Sequence, residues 1–258
     1  MRYEYKYIVH NSDINRLREM ILPFVNVDKF AEIDDKHQYT VRSIYFDSLN
    51  YDCYYEKIEG IKNRKKIRLR GYDKENGENI VFFELKRKYD IPIVKFRAPV
   101  RFEDALDMFR SRNINGQVIS DEFFPRGNEN SKRFFYQLYS KNLKPVVLVV
   151  YEREAYQYKL DDTIRLTFDK NLRCKPYPLI DELFSENELT NALTGRFILE
   201  VKFNDLFPSW LNPIISMLSL RKQSASKYVI SMDESKAVNR HSKATFYTRP
   251  SFLSSSVE

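Results

Sequence analysis

The chain has 258 residues, 43% of them hydrophobic and 15% aromatic with only six glycines, so it can bury a sizeable core in one large domain and is not a low-complexity protein. The 43 Lys and Arg residues against 36 Asp and Glu leave a net charge of +7, which calls for an acidic partner without choosing among nucleic acid, an anionic membrane and a phosphorylated small molecule. Two isolated cysteines, Cys53 and Cys174, exclude a disulfide framework and a thiolate metal site, and point to free thiols in a reducing cytoplasm.

The first segment, MRYEYKYIVHNSD, lacks an apolar core of signal-peptide length. It predicts a strand over 2–9, with Arg2, Glu4 and Lys6 on one face and three tyrosines on the other. Asn11 or Ser12 can cap a helix that carries Ile14, Leu17, Ile21 and Phe24 at helical spacing and ends near Pro23. Strands are predicted at 39–47, 53–59, 64–72, 79–88 and 92–101, with Asn76-Gly77 marking a tight antiparallel hairpin. Helices are predicted over 103–112 and around 131–143, followed by strands at 146–158, 163–169 and 196–203. A last helix, 208–220, has Trp210, Leu211, Ile214, Ile215 and Leu218 on its apolar side.

The longest apolar run, VVLVV at 146–150, is far too short to span a bilayer, so a soluble chain with no membrane segment is expected. After about Asp233 the sequence turns polar. The expected organisation is one domain over 1–235 and a poorly ordered tail over 236–258.

The run NRKKIRLRGYD places five cations in the seven residues from Arg64 to Arg70, yet alternates them with Ile67 and Leu69. Lys66, Arg68 and Arg70 therefore share one strand face. The same design recurs in VFFELK, where Glu84 and Lys86 follow Phe82, and in YER, where Tyr151 precedes Arg153. It recurs again where Arg165, Thr167 and Asp169 alternate with apolar residues, and where Glu200 and Lys202 do. One such face could be the solvated side of an antiparallel sheet. Six together are too rich in arginine and lysine for that, because like charges on neighbouring strands repel. Closing the sheet would put the charged face inside a barrel, the apolar face outside and the helices over it. A polyanion in such a tunnel would be held more strongly than on an open surface.

The strand with Glu4 and Lys6, RSIYFD at 42–47, RKKIRLR at 64–70, FELK at 83–86, YER at 151–153, RLTFD at 165–169, LEVK at 199–202 and SKY at 226–228 together resemble the VTC-type polyphosphate polymerase domain. That domain belongs to the triphosphate tunnel metalloenzymes, and the resemblance spans about residues 2–235. It implies an α+β fold with an antiparallel eight-stranded β-barrel tunnel, a charged interior and helices packed on the outside. It also implies transfer of the terminal phosphoryl group of ATP to a growing inorganic polyphosphate chain, with Mn2+ or Mg2+. By matching motif, the resemblance assigns phosphate contacts to Lys6, Arg68, Arg70, Lys86, Arg153, Arg165, Lys202 and Lys227, and accessory positions to Tyr151 and Ser226. Glu200 matches the metal-binding carboxylate, with Glu4 and Glu84 as further metal candidates.

Hydrolases and cyclases of that superfamily begin with Glu-x-Glu-x-Lys, whereas Arg2 takes the first glutamate position here. Losing an oxygen donor disfavours a two-metal hydrolase. An inorganic triphosphatase using the same site, and a non-enzymatic binder of polyphosphate or nucleic acid, remain alternatives. Internal cations would give no specific nucleic-acid partner, because a duplex cannot enter a tunnel. Any link to a membrane would run through a partner protein. His10, His37 and His241 are scattered without zinc spacing, no glycine-rich phosphate loop is present, and Asp47 and Asp169 read as turn or salt-bridge residues.

Overall fold

The computed structural model describes residues 2–28, 37–73, 79–89, 93–114 and 118–238. Among them the chain order is β1 (Arg2–His10), α1 (Ile14–Ile21), β2 (Val25–Val27), β3 (Gln38–Asp47), α2 (Asp52–Ile58), β4 (Arg64–Tyr72), β5 (Ile80–Lys88), β6 (Ile93–Arg101), α3 (Phe102–Ser111) and α4 (Gly127–Ser140). Next come β7 (Lys144–Tyr158), β8 (Arg165–Pro176), a 3-10 turn (Ile180–Phe184), β9 (Thr190–Asn191), β10 (Arg196–Asn204), α5 (Leu211–Met217) and α6 (Lys227–Glu234). The Asn76-Gly77 turn and tail residues 239–258 lie outside the described residues.

The ten strands form one antiparallel sheet with the path β1-β10-β8-β7-β3-β4-β5-β6, while β2 pairs with β7 and β9 with β8. The expected mixed α+β class and antiparallel sheet are present, but the expected closed barrel is not formed by backbone pairing. Among the described residues no ladder joins β1 to β6. The free edge of β1 instead bridges Tyr7 to Lys222, and the Gln223 N–H donates to the Lys6 carbonyl at 2.9 Å. The free edge of β6 bridges Val100 to Val118. Coil segments thus take the backbone groups through which the two ends would have closed.

Strand alternation sorts the core as the sequence predicts. On one face Ile67, Leu69, Phe83 and Leu85 are buried with Ala105, Met108, Phe134 and Phe135 of α3 and α4. Further along that face, Leu199, Val201 and Phe203 meet Leu17 and Ile21 of α1 and Leu211 and Ile214 of α5. On the charged face, α6 covers one end, where Tyr228 and Met232 join Tyr45, Val147 and Val149. This helix lay beyond what periodicity indicated, as did the short β2 and β9.

Segment 53–59, expected as a strand, is the helix α2. The reason is a cap supplied from outside the segment: the Asp47 carboxylate accepts from the N–H groups of Cys53 at 2.9 Å and Tyr54 at 3.0 Å. Those first-turn donors have no partner within the helix. A seven-residue helix is not stable alone, and α2 is anchored by Tyr54 donating to Asp233 of α6.

Gly71 lies inside β4 because the 3-10 turn packs on it. A Cβ there would stand 2.7 Å from Phe184 Cζ and 3.2 Å from Leu183 Cδ2. Gly71→Ala is therefore expected to cost about 1–3 kcal/mol through overpacking. Urea denaturation would read the loss, and Phe184→Leu in the same chain should recover part of it.

Candidate functional site

The charged faces of β1, β4, β5, β7 and β10 meet the segment leading into α6 around one cavity of about 550 Å³. Its lining includes Glu4, Lys6, Arg68, Arg70, Glu84, Lys86, Tyr151, Arg153, Glu200, Lys202, Ser226 and Lys227, so twelve of the thirteen site residues expected from sequence are brought together. Arg165 is not. It stands at the start of β8 and is paired with Asp28 at 3.1 Å.

Register explains the convergence. Tyr45 of β3 is opposite Arg68 of β4, which is opposite Glu84 of β5, which is opposite Arg97 of β6. The Arg68 Nε donates to Glu84 Oε2 at 2.7 Å, and its Nη1 donates to the Tyr45 hydroxyl at 2.9 Å. Lys95 and Arg97 hold the other Glu84 oxygen at 2.8 and 3.2 Å. Glu84 thus stands amid three cations.

On the next strand pair, Arg70 Nε donates to the Ser43 hydroxyl at 3.2 Å and its Nη2 to the Tyr151 hydroxyl at 3.4 Å. Arg153 grips Asp169 with two bonds, at 2.6 and 2.8 Å. Lys227 pairs with the same carboxylate, and Arg153 and Lys227 lie over the Tyr151 ring with centroid distances of 5.3 and 4.8 Å. The sequence reading of Asp169 as a salt-bridge residue holds.

At the other end of the sheet path, Lys6 is 2.7 Å from Glu4 and 3.4 Å from Glu200, and Lys202 takes the second Glu200 oxygen. Among the described residues no three His, Cys, Asp or Glu side chains form a group able to hold a cation by themselves. Glu4 and Glu200 share Lys6. Two carboxylates fit a hard divalent ion of the magnesium type, which takes its remaining ligands from phosphate oxygens and water rather than from a protein cage.

Electrostatics follow from this packing. Burial opposes the Glu200 charge, but Lys202, Lys6, Lys227 and Arg153 outweigh it and hold the carboxyl well below its ordinary value. Burial likewise opposes the Glu84 charge, and Arg68, Arg70 and Lys95 hold that carboxyl low. Arg68 and then burial push Lys86 well below the ordinary lysine value. Burial brings Lys66 down to about 8. For Tyr45, burial alone would raise the phenol, yet Arg68, Lys66 and Arg70 bring it down to about 8. Lys66, which donates to the Ser226 hydroxyl at 2.8 Å, was placed on the charged face from sequence but given no phosphate contact, and Tyr45 was not singled out. The signal was present: Lys66 alternates with Arg68, and Tyr45 lies two residues from both Ser43 and Asp47.

Glu84 offers a test of charge compensation. Because its folded value lies below the ordinary 4.5, its contribution is complete above that value and is lost as pH falls from there through the lowered one. Glu84→Gln should therefore flatten the acid limb of the stability profile. At pH 7 it should cost about 3–5 kcal/mol by stranding buried cations. Urea melts at neutral and acid pH measure both effects.

Residues 1–236 match the family model described as VTC domain. Vacuolar transporter chaperone complex subunit 4 of Schizosaccharomyces pombe is 26% identical over 191 residues, covering 67% of this chain and 26% of that protein. The subunit 4 of Trypanosoma brucei brucei is 23% identical over 206 residues, covering 67% and 25%. The chain spans about a quarter of the length of these curated relatives. Among solved structures, the PH1819 protein of Pyrococcus horikoshii OT3 matches 90% of this chain and 99% of its own at 16% identity and a TM-score of 0.45. HpAC1 from Hippeastrum, a candidate adenylyl cyclase described with a dominant triphosphatase activity, matches 91% and 96% at 10% identity and a TM-score of 0.49.

Proposed function

From the premise that the chain belongs to the VTC domain family, we propose that it is a polyphosphate polymerase, transferring the terminal phosphoryl group of ATP to a growing inorganic polyphosphate chain. The carrying observation is the gathering of Lys6, Arg68, Arg70, Lys86, Arg153, Lys202 and Lys227 into one cavity. Phosphoryl transfer asks for alignment and for compensation of charge on the equatorial oxygens rather than for a covalent catalyst. The curled sheet acts as the tunnel, and residues 1–235 act as one phosphate-handling domain. No helix among the described residues is long and apolar enough to cross a membrane. A cytoplasmic chain working beside a membrane-protein partner accords with this reading.

In the reaction a terminal oxygen of the polyphosphate chain bonds to the γ-phosphorus of ATP, the bond to the β–γ bridging oxygen breaks, and ADP leaves. Arg70 and Arg153, each fixed through a second contact, present planar donors to phosphate oxygens. Arg68 is oriented by Glu84 and Tyr45. Glu200 and Glu4 would hold Mn2+ or Mg2+, which when bound would offset negative charge on the phosphate groups. Lys6 and Lys202 compensate charge around that carboxylate pair, and Ser226 positions Lys66. Arg165, held by Asp28, supports the sheet beside the cavity rather than the phosphates.

Incubating the chain with ATP and Mn2+ tests the proposal. Long-chain polyphosphate is the expected product, whereas free phosphate from tripolyphosphate with no polymer would support the triphosphatase reading. Glu200→Gln should abolish metal-dependent turnover while metal-free polyphosphate binding persists, because a repulsive charge has left the cavity.

Arg70→Ala should weaken tripolyphosphate binding by about 2–5 kcal/mol, as expected for a desolvated charged contact. Arg68→Ala should weaken it comparably and lower stability too, since Glu84 then loses a partner. Calorimetric titration beside urea melts separates these outcomes.

Binding should also weaken above about pH 8, where Lys66 loses its proton and Tyr45 becomes anionic. Both changes disfavour an anionic ligand. The bound anion should shift the midpoint upward, because it favours the protonated forms. Tripolyphosphate titrations from pH 7 to pH 9.5 check the slope, and Tyr45→Phe should flatten it.

A further inference from the structure

The concave face changes character along its strands. At one end cations meet across β4 and β5, Lys66 opposite Lys86 and Arg64 opposite Lys88, and in the middle Arg68 is opposite Glu84. At the other end the cations face rings. Tyr39 of β3 is opposite Arg153 of β7, and Phe82 of β5 is opposite Arg70 of β4. Tyr72 follows Arg70 on the same strand face and bridges the other two rings, with centroids 6.0 Å from Tyr39 and 5.9 Å from Phe82.

Tyr39, Tyr72 and Phe82 are half-buried, so each keeps accessible ring surface. The Arg97 guanidinium lies 3.5 Å from the Phe82 centroid and donates to the Tyr72 hydroxyl at 3.1 Å. Burial opposes the Tyr72 phenolate, but Arg70 and Arg97 outweigh it and bring the phenol below its ordinary value. Burial raises the Tyr39 phenol, with Arg153 and Arg165 working against it. The rings therefore stand within electrostatic reach of Arg70 and Arg153, which line the cavity.

A bare polyphosphate has no use for such rings, because half-exposed aromatic surface gains from stacking on a flat apolar group rather than from meeting anionic oxygens. A ligand with an anionic end and a planar end matches both halves. Resting on the polymerase reading above, we infer that Tyr39, Tyr72 and Phe82 form the site for the nucleobase of the phosphoryl donor, beside the arginines that take its phosphates. The base stacks against the tyrosine pair. The Tyr72 hydroxyl accepts from Arg97 and so keeps its own proton to donate to a ring nitrogen of the base. Stacking tolerates any base, so the site favours nucleotides over base-free phosphates without choosing one nucleotide.

Calorimetric titrations with ATP and with methyl triphosphate, a triphosphate ester without a base, test the assignment. The wild type should bind ATP about tenfold more tightly, within the range for one stacked base. The double variant Tyr39→Leu, Tyr72→Leu keeps apolar bulk but should lose that gain, while its affinity for methyl triphosphate changes by less than about twofold. Tyr39→Phe with Tyr72→Phe keeps the rings and should retain most of the gain. Equal losses for both ligands in the Leu variant would make the rings mere supports for the arginines and overturn the site, as would no loss for either. A wild-type chain that forms polyphosphate yet binds the two ligands alike sinks the base site alone. One that prefers ATP as expected but forms no polyphosphate supports the base site and sinks the polymerase reading. Should the Leu variant not fold, nuclear Overhauser contacts in the wild-type chain with ATP and Mg2+ decide. Contacts between adenine H2 or H8 and the ring protons of Tyr39 or Tyr72 are expected; contacts to other side chains only, or none, overturn the site.

Discussion

Compensation of charge on the concave face is the constraint from which the rest of the structure follows. An antiparallel sheet lays residues of neighbouring strands in rungs, and a rung of cations alone is unfavourable. Here the central rung runs Tyr45, Arg68, Glu84, Arg97 across four strands, and the facing one sets Lys6 against Glu200. Three buried carboxylates each serve two or more cations: Glu84 serves Arg68, Lys95 and Arg97, Asp169 serves Arg153 and Lys227, and Glu200 serves Lys6 and Lys202. Cations outnumber carboxylates, so the face stays attractive to anions while its guanidinium groups are held in fixed orientations. Such preorganisation is what charge stabilisation in phosphoryl transfer requires.

The apolar face supplies the rigidity for that arrangement. Phe83, on the opposite side of β5 from Glu84, contacts Phe134 and Phe135 of α4 at ring-centroid distances of 4.9 Å each. Packing on one side of a strand therefore fixes the side chains on the other. The polar side is expensive to bury and the apolar side offsets it, so stability and site geometry are coupled through the same strands.

A second coupling runs through Asp47. Its carboxylate caps α2 and also accepts from the Tyr228 hydroxyl at 2.5 Å. Tyr228 stacks on Tyr45 with centroids 5.0 Å apart, and Tyr45 in turn accepts from Arg68. One buried carboxylate thus ties α2, α6 and the cavity wall into a single unit. The same segment brings Ser226 and Lys227 over the cavity and Lys57 to its rim.

Much of this was legible beforehand because strand alternation is a local property. Two-residue periodicity placed Lys66, Arg68 and Arg70 on one face and Ile67 and Leu69 on the other, and the same reasoning found Glu200 with Lys202. The antiparallel sheet, the helices α1, α3, α4 and α5, and the family also followed from residues in sequence. Tertiary structure alone decided what depends on distant partners. Segment 52–58 became a helix because Asp47 caps it from outside. Arg165, opposite Lys202 in register, pairs with Asp28, a residue far away in sequence. Among the described residues the two end strands do not pair with each other, and the segments at 222–223 and 118 bridge their free edges. Register, too, is a relation between strands: it set Arg68 against a carboxylate and Lys66 against another lysine, and so separated an inner compensated zone from an outer cationic one.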